Sequence, residues 1–214
     1  MIQVIRFRDR AEAGQRLAEA LAAEYSGRQD VLVLGLPRGG IVVAAEISRR
    51  LGVPLDMVAV RKLGAPMQPE LAIGAVSEGG KVLLDRDLIE RLRVPEEYVE
   101  SEVKSQRRTL EERLRRYRGE REPVPVEGMV CILVDDGLAT GSTAAAAAAS
   151  LRERNPRKIV FAVPVASDQG YLRLRGMVDE IVCPQVVQDM GAVGYYYERF
   201  DPVEDEEVME LLSG

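Results

Sequence analysis

Short apolar runs alternate along the chain with stretches whose apolar residues fall three and four apart, the pattern of buried strands separated by helices. The runs Val31–Leu34, Leu55–Val60, Val130–Val134, Ile159–Val163 and Val178–Cys183 predict strands. The helical periods predict helices over Glu12–Tyr25, Ile41–Leu51, Ser142–Arg154 and Gln169–Arg175. Strands that are apolar throughout need cover on both faces, so the expected fold class is α/β, a parallel twisted sheet flanked by helices in doubly wound fashion. Ligands of such sheets sit beyond the carboxyl ends of the strands, and the residues just after each strand are where chemistry is expected.

The alternation breaks between Leu63 and Gly128. There, residues 70–76 followed by Ser77-Glu78-Gly79-Gly80 and Lys81–Leu84 predict a hairpin. A charged helix is expected next, with Val99, Val103, Leu110, Leu114 and Tyr117 as its apolar stripe and Glu100/Lys104, Glu111/Arg115 and Glu112/Arg116 as four-apart pairs on its solvated side. The expected organisation is a core of residues 1–62 and 128–214, including a hood-like segment over about 184–214, with an inserted subdomain at 63–127.

Composition narrows the chemistry. Hydrophobic residues make up 46% of the 214 and charged residues 30%, enough for an ordinary core. A net charge of −6 argues against nucleic acid as the main partner. No stretch reaches the ~20 apolar residues that span a bilayer, and residues 1–10 carry charges where a leader would need its apolar centre, so a cytoplasmic protein with no membrane partner is expected. Cys131 and Cys183 each lie in an apolar run and are expected to be small core residues. The chain has no histidine, which removes serine–histidine triads, cysteine–histidine pairs and histidine bases together.

The segment Val130–Thr143, VCILVDDGLATGST, concentrates the candidate chemistry. An apolar strand delivers the adjacent carboxylates Asp135 and Asp136 to its open end. Ala139-Thr140-Gly141-Ser142-Thr143 then opens a helix, where free backbone N–H groups, hydroxyls and the positive end of the helix dipole suit a phosphate. The acids stand where they can accept from two vicinal hydroxyls of a ribose, and paired acids favour Mg²⁺. A strand–turn–helix with Asp136 as a cap is the bland alternative. A Walker loop is excluded, since glycine, lysine and hydroxyl do not occur in that order.

This segment resembles the signature of the type I phosphoribosyltransferase family: an apolar strand, two acids, a short turn, then Thr-Gly and a hydroxyl. The resemblance implies transfer of the phosphoribosyl group of 5-phosphoribosyl-1-pyrophosphate (PRPP), with Mg²⁺ as cofactor, to a small-molecule nitrogen nucleophile of nucleobase type. Asp135 and Asp136 would hold the ribose hydroxyls and the metal, directly or through those hydroxyls or water. Ala139 to Thr143 would wrap the 5-phosphate. Alanine at 139 resembles the adenine and orotate branches rather than the hypoxanthine/guanine branch, which carries an acid there, and so speaks against a 6-oxopurine acceptor.

Gly35-Leu36-Pro37-Arg38-Gly39-Gly40 resembles the family's pyrophosphate loop, in which a cis peptide before glycine is common. Read alone, it is an ordinary glycine-rich turn with one arginine. Arg61 and Lys62, expected at the end of the Val58–Val60 strand, would join Arg38 and Gly39 on pyrophosphate and act in catalysis with the two aspartates. In isolation they are equally a surface pair ending a strand.

Residues Val193–Phe200 hold an aromatic cluster that suits either stacking on a base or packing the tail onto the sheet. The 63–127 insert stands where the family has a mobile loop and is expected to be an enlarged lid or an element of a homodimer. A protein of the same fold that senses PRPP or a nucleotide without turnover is the alternative function. A phospho-acceptor receiver domain is set aside, since its acids follow the first strand and here the pair follows the third.

Overall fold

The computed structural model describes residues 5–214; residues 1–4, part of the stretch read above for a leader, lie outside the described residues. Five strands form a parallel sheet in the order β2-β1-β6-β7-β9: β1 Val31–Gly35, β2 Leu55–Met57, β6 Val130–Val134, β7 Lys158–Ala162 and β9 Glu180–Val182. Every residue of β6, the central strand, and of its neighbour β1 is buried, which is why their sequences are apolar without alternation.

Residues that alternate along these strands enter opposite layers. Val31, Val33, Val130, Ile132 and Val134 pack under α1 (Arg10–Tyr25) and α2 (Gly39–Leu51), against Leu17, Leu21, Tyr25, Val43 and Ile47. Leu32, Leu34, Cys131, Leu133 and Phe161 pack on the other side under α5 (Ser142–Arg152) and α6 (Asp168–Leu174). Cys131 is a buried free thiol whose pKa burial pushes up to about 12, and Cys183 is free and half-buried with its thiol pushed up to about 11. The α/β fold, with helices on both faces of a parallel sheet, is the one expected.

The structure corrects the expected second strand. Val31–Leu34 and Val130–Val134 are found within one residue of their expected bounds, but the Leu55–Val60 run is divided. Strand β2 ends at Met57. Val58 still donates to the carbonyl of Gly35, 3.1 Å, whereas the Ala59 carbonyl accepts from the Glu78 N–H, 3.2 Å, in the turn that follows Ser77 of the neighbouring sheet. Val60 opens β3 (Val60–Ala65), which pairs antiparallel with β4 (Gln68–Ser77), and β4 pairs with β5 (Val82–Leu84). One apolar run therefore serves two sheets.

After β5 come the short α3 (Arg86–Arg91) and the long α4 (Glu96–Arg118). The expected stripe holds: Val99, Leu110 and Tyr117 are buried, and Val103 and Leu114 pack beside them. The ion pairing differs from the spacing rule in part, because Arg108 pairs with Glu112 at 2.9 Å while Arg116 reaches Asp205 on the C-terminal α7 (Asp205–Ser213). The cluster around α4 also takes in Ile41, Met57 and Ala59 of the core and Val203, Val208 and Leu212 of the tail.

A second parallel pair, β8 (Val165–Ser167) with β10 (Gln185–Val187), lies near a cluster formed by Phe7, Val165, Met190, Tyr196 and Tyr197. Among the described residues no helix is long and apolar enough to cross a membrane.

Candidate functional site

Strands β1 and β6 run side by side in register, Gly35 opposite Val134, so the turns that follow them meet. The Leu36 N–H donates to the Val134 carbonyl at 2.8 Å, which folds the Leu36–Gly40 turn over the end of β6. The Pro37–Arg38 peptide is cis. The two glycines after it are required by contact. A Cβ on Gly39 would stand 1.8 Å from Asp136 Oδ2, and one on Gly40 would stand 2.7 Å from the Val134 carbonyl oxygen and 3.0 Å from Asp135 Cα. The glycine-rich turn is thus fitted against the acidic pair, although the two lie far apart in sequence.

The Asp136 carboxylate accepts from Arg10 Nε at 2.7 Å, and the side chains of Arg10 and Asp136 are 12% and 16% exposed. Arg10 is itself held by its Nη1, which donates to the Asp201 carbonyl at 2.8 Å, and by the Phe200 ring, whose centroid lies 3.8 Å from the guanidinium. Tyr197 donates its hydroxyl to the Asp136 backbone carbonyl at 2.6 Å and stacks on Phe200, with centroids 4.8 Å apart. The aromatic tail therefore packs down and braces the acids from behind, with Tyr196 and Tyr197 buried, while Tyr195 is 73% exposed.

Asp135 accepts from the Asp136 N–H at 2.9 Å through Oδ1. Burial holds the Asp135 carboxyl well above the usual carboxylate range, and the neighbouring Asp136 charge pushes it the same way. Burial also raises Asp136, opposed by its bond to Arg10. Two acids with one arginine make a group that gains from a cation or from hydroxyl donors.

Beyond the acids, Leu138 pairs with Ala166 and the chain turns into α5. Gly141 has φ +71, a left-handed conformation that favours glycine, and a Cβ there would stand 3.3 Å from the backbone of Gly170. Thr140 and Thr143 are exposed and Ser142 is half-buried, so the hydroxyls of this helix start are accessible. Ser142 Oγ accepts from Arg173 Nη1 at 2.5 Å, which brings a cation from α6 to the same point. Thr140, Ser142 and Arg173 open onto a groove of about 650 Å³ between α5 and the β4–β5 hairpin.

Arg61 and Lys62 are inside β3 rather than at the end of a strand of the main sheet, because the chain has already left that sheet at Val58. They nevertheless line a cleft of about 340 Å³ with Pro37 of the glycine-rich turn, Thr143 of the phosphate-type turn, and Gln106 and Arg113 of α4. Arg61 Nε donates to Gln106 Oε1 at 2.9 Å. Arg38 turns away from that cleft: it is 42% exposed, and its Nη1 lies 3.8 Å from Asp205. The residues brought together are thus Gly39 with Asp136, and Arg61 and Lys62 with Thr143. Arg10, Arg113 and Arg173 went unread, since a lone arginine in a helix carries no motif and only the fold aims it.

The model of the phosphoribosyl transferase domain family matches residues 7–198. Two Mycobacterium tuberculosis proteins, from strains CDC 1551 / Oshkosh and ATCC 25618 / H37Rv, each named "Putative phosphoribosyl transferase", are 41% identical over 207 residues, 97% of this chain. The chain spans about half the length of these curated relatives, 46%. TT1426 from Thermus thermophilus, known from a crystal structure, is 47% identical with a TM-score of 0.86, covering 97% of this chain and 98% of its own. A hypoxanthine phosphoribosyltransferase from Staphylococcus aureus shares the fold at 12% identity, TM-score 0.50, over 88% of this chain and 79% of its own. Both turns, the acidic pair and the helix start lie within the span that the family model matches, and the chain belongs to the phosphoribosyl transferase domain family.

Proposed function

We propose that this protein binds Mg²⁺-PRPP and transfers its phosphoribosyl group to a nitrogen nucleophile of nucleobase type, releasing pyrophosphate. The observation that carries this reading is the close fit of the Gly39–Gly40 turn against Asp135 and Asp136, with the Gly141 helix start following on the same strand. In this reading the 5-phosphate sits on the N–H groups and hydroxyls of Thr140 to Thr143, which neutralise it without moving. Asp135 and Asp136 accept from the ribose hydroxyls and fix the ring. The pyrophosphate end lies toward Gly39, Arg61 and Lys62, while Arg38 would have to leave Asp205 to join them.

The nucleophile attacks C1 as the C1–O bond to pyrophosphate breaks, and the bonding electrons leave with pyrophosphate. The chain's cations stabilise the charge that grows there, and its acids stabilise the positive ring. Asp135 and Asp136 would hold Mg²⁺, directly or through the ribose hydroxyls or water. Bound there, the cation would add charge neutralisation to the departing pyrophosphate.

The setting we propose is cytoplasmic, with a small-molecule acceptor. A panel of bases incubated with PRPP and Mg²⁺ tests the reading. Release of pyrophosphate with one base or one class of bases is the expected result. PRPP binding without release for any of them would leave a sensor of PRPP rather than an enzyme.

A further inference from the structure

The 340 Å³ cleft has a composition that the PRPP-binding segment does not explain. Its floor comes from the core, Pro37 and Thr143, and from Arg61 and Lys62 of β3, but its opposite wall is one face of α4, carrying Tyr98, Glu102, Gln106 and Arg113. These positions are four, four and seven apart and so lie on one side of the helix. The size falls in the ~300–1,000 Å³ range of small-ligand sites. Three cations, Arg61, Lys62 and Arg113, meet one acid, Glu102, and Glu102 is engaged by Gln106 Nε2 at 3.1 Å.

The cations are also set against one another. Desolvation lowers the Arg61 pKa, and the Arg113 charge lowers it further, outweighing the opposing influence of Glu102. Two guanidinium groups held within range of each other in a half-buried cleft repel, and a multivalent anion between them turns that repulsion into two charge-assisted hydrogen-bonding sites. Arg61 is steered toward this place by Gln106 of the same helix wall. Arg113 and Pro37 also flank a small pocket with Thr143, which ties α4 directly to both turns of the site.

We propose that α4 of the insert is part of the ligand site itself, with Arg113 as a binding residue for a diphosphate group held between it and Arg61. The inference rests on the proposed PRPP site for its orientation, because the cleft borders Pro37 on one side and Thr143 on the other. It makes the insert a fixed wall of the diphosphate end.

The test uses the full chain and two probes, inorganic pyrophosphate with Mg²⁺ and ribose 5-phosphate, each titrated by calorimetry. Arg113→Ala should weaken pyrophosphate binding by about tenfold or more, the worth of a charged hydrogen bond, and leave ribose 5-phosphate affinity unchanged. Arg113→Lys should recover part of the loss. Arg113→Gln keeps the stem of the side chain and gives the same readout should the alanine variant not fold. Unchanged pyrophosphate affinity in these variants, or no pyrophosphate binding by the wild type, overturns the inference while leaving ribose 5-phosphate binding to speak for the PRPP site. The expected loss of pyrophosphate affinity in the Arg113 variants, beside a wild type that binds pyrophosphate but no ribose 5-phosphate, would uphold the cleft and reject the transfer reading.

Discussion

Asp135 is the residue on which stability and function pull in opposite directions. Its carboxyl is held above the usual range by burial and by Asp136, so the folded chain keeps that proton more tightly than the unfolded one. Its contribution therefore favours folding below the raised pKa and is lost as pH rises through it. Asp135→Asn removes the charge and keeps the acceptor for the Asp136 N–H. The ligand-free variant should melt higher than wild type at neutral pH, by about 2–4 °C for each kcal/mol relieved, with a flatter dependence on pH in the acid range. Equal melting temperatures across that range would show that the acid carries no such strain. The pair itself was legible in the sequence, since two acids at the end of an apolar run have few structural uses. Its partner Arg10 was not: one arginine at the start of an amphipathic helix reads as solvated, and only the folding of the Phe200–Asp201 tail over α1 aims it at Asp136.

At the scale of elements, the turns after β1 and β6 behave as one unit. The pattern placed both turns correctly because buried parallel strands are apolar from end to end and stop abruptly at glycine or aspartate. It could not show that they touch, because register between strands distant in sequence is set by packing. Gly39→Ala tests the contact: a methyl group at 1.8 Å from Asp136 Oδ2 must displace either the turn or the Arg10–Asp136 pair. PRPP affinity should fall at least tenfold, about 1.4 kcal/mol or more, in a chain that remains folded by circular dichroism. Affinity within a factor of about two of wild type would mean that the two turns move independently. The second strand was misjudged for a related reason. Leu55–Val60 is almost uniformly apolar, and nothing in an apolar run marks where it passes from one sheet to the next.

For the whole molecule, the way α4 packs against the rest of the chain decides what that helix can do. The hydrophobic cluster under α4 is shared with Ile41, Met57 and Ala59 of the core and with Val208 and Leu212 of α7. Arg118, 8% exposed at the end of α4, donates from Nη2 to Asp56 Oδ1 at 3.0 Å and to the Met57 carbonyl at 3.2 Å, and pairs with Glu78 through Nη1. Asp56 in turn accepts from the Val124 N–H at 2.9 Å. Arg118→Met leaves two largely buried acids without their cation and should cost about 3–5 kcal/mol of unfolding free energy in urea titration. A loss under about 1 kcal/mol would mean that α4 is docked by its apolar face alone. The sequence disclosed the hydrophobic stripe of α4, but the partner of that stripe lay in three separate segments of the chain.

The central claim is that Asp135, Asp136 and the Thr140–Thr143 turn form one site for PRPP. Calorimetric titration of the full chain with PRPP and Mg²⁺, beside the Asp135→Asn/Asp136→Asn double variant, tests it most directly. Saturable binding by the wild type, reduced at least about a hundredfold in the variant, is the result predicted, since each acid would lose a charged hydrogen bond to the ribose. Equal binding by both proteins, or none by the wild type, would contradict it.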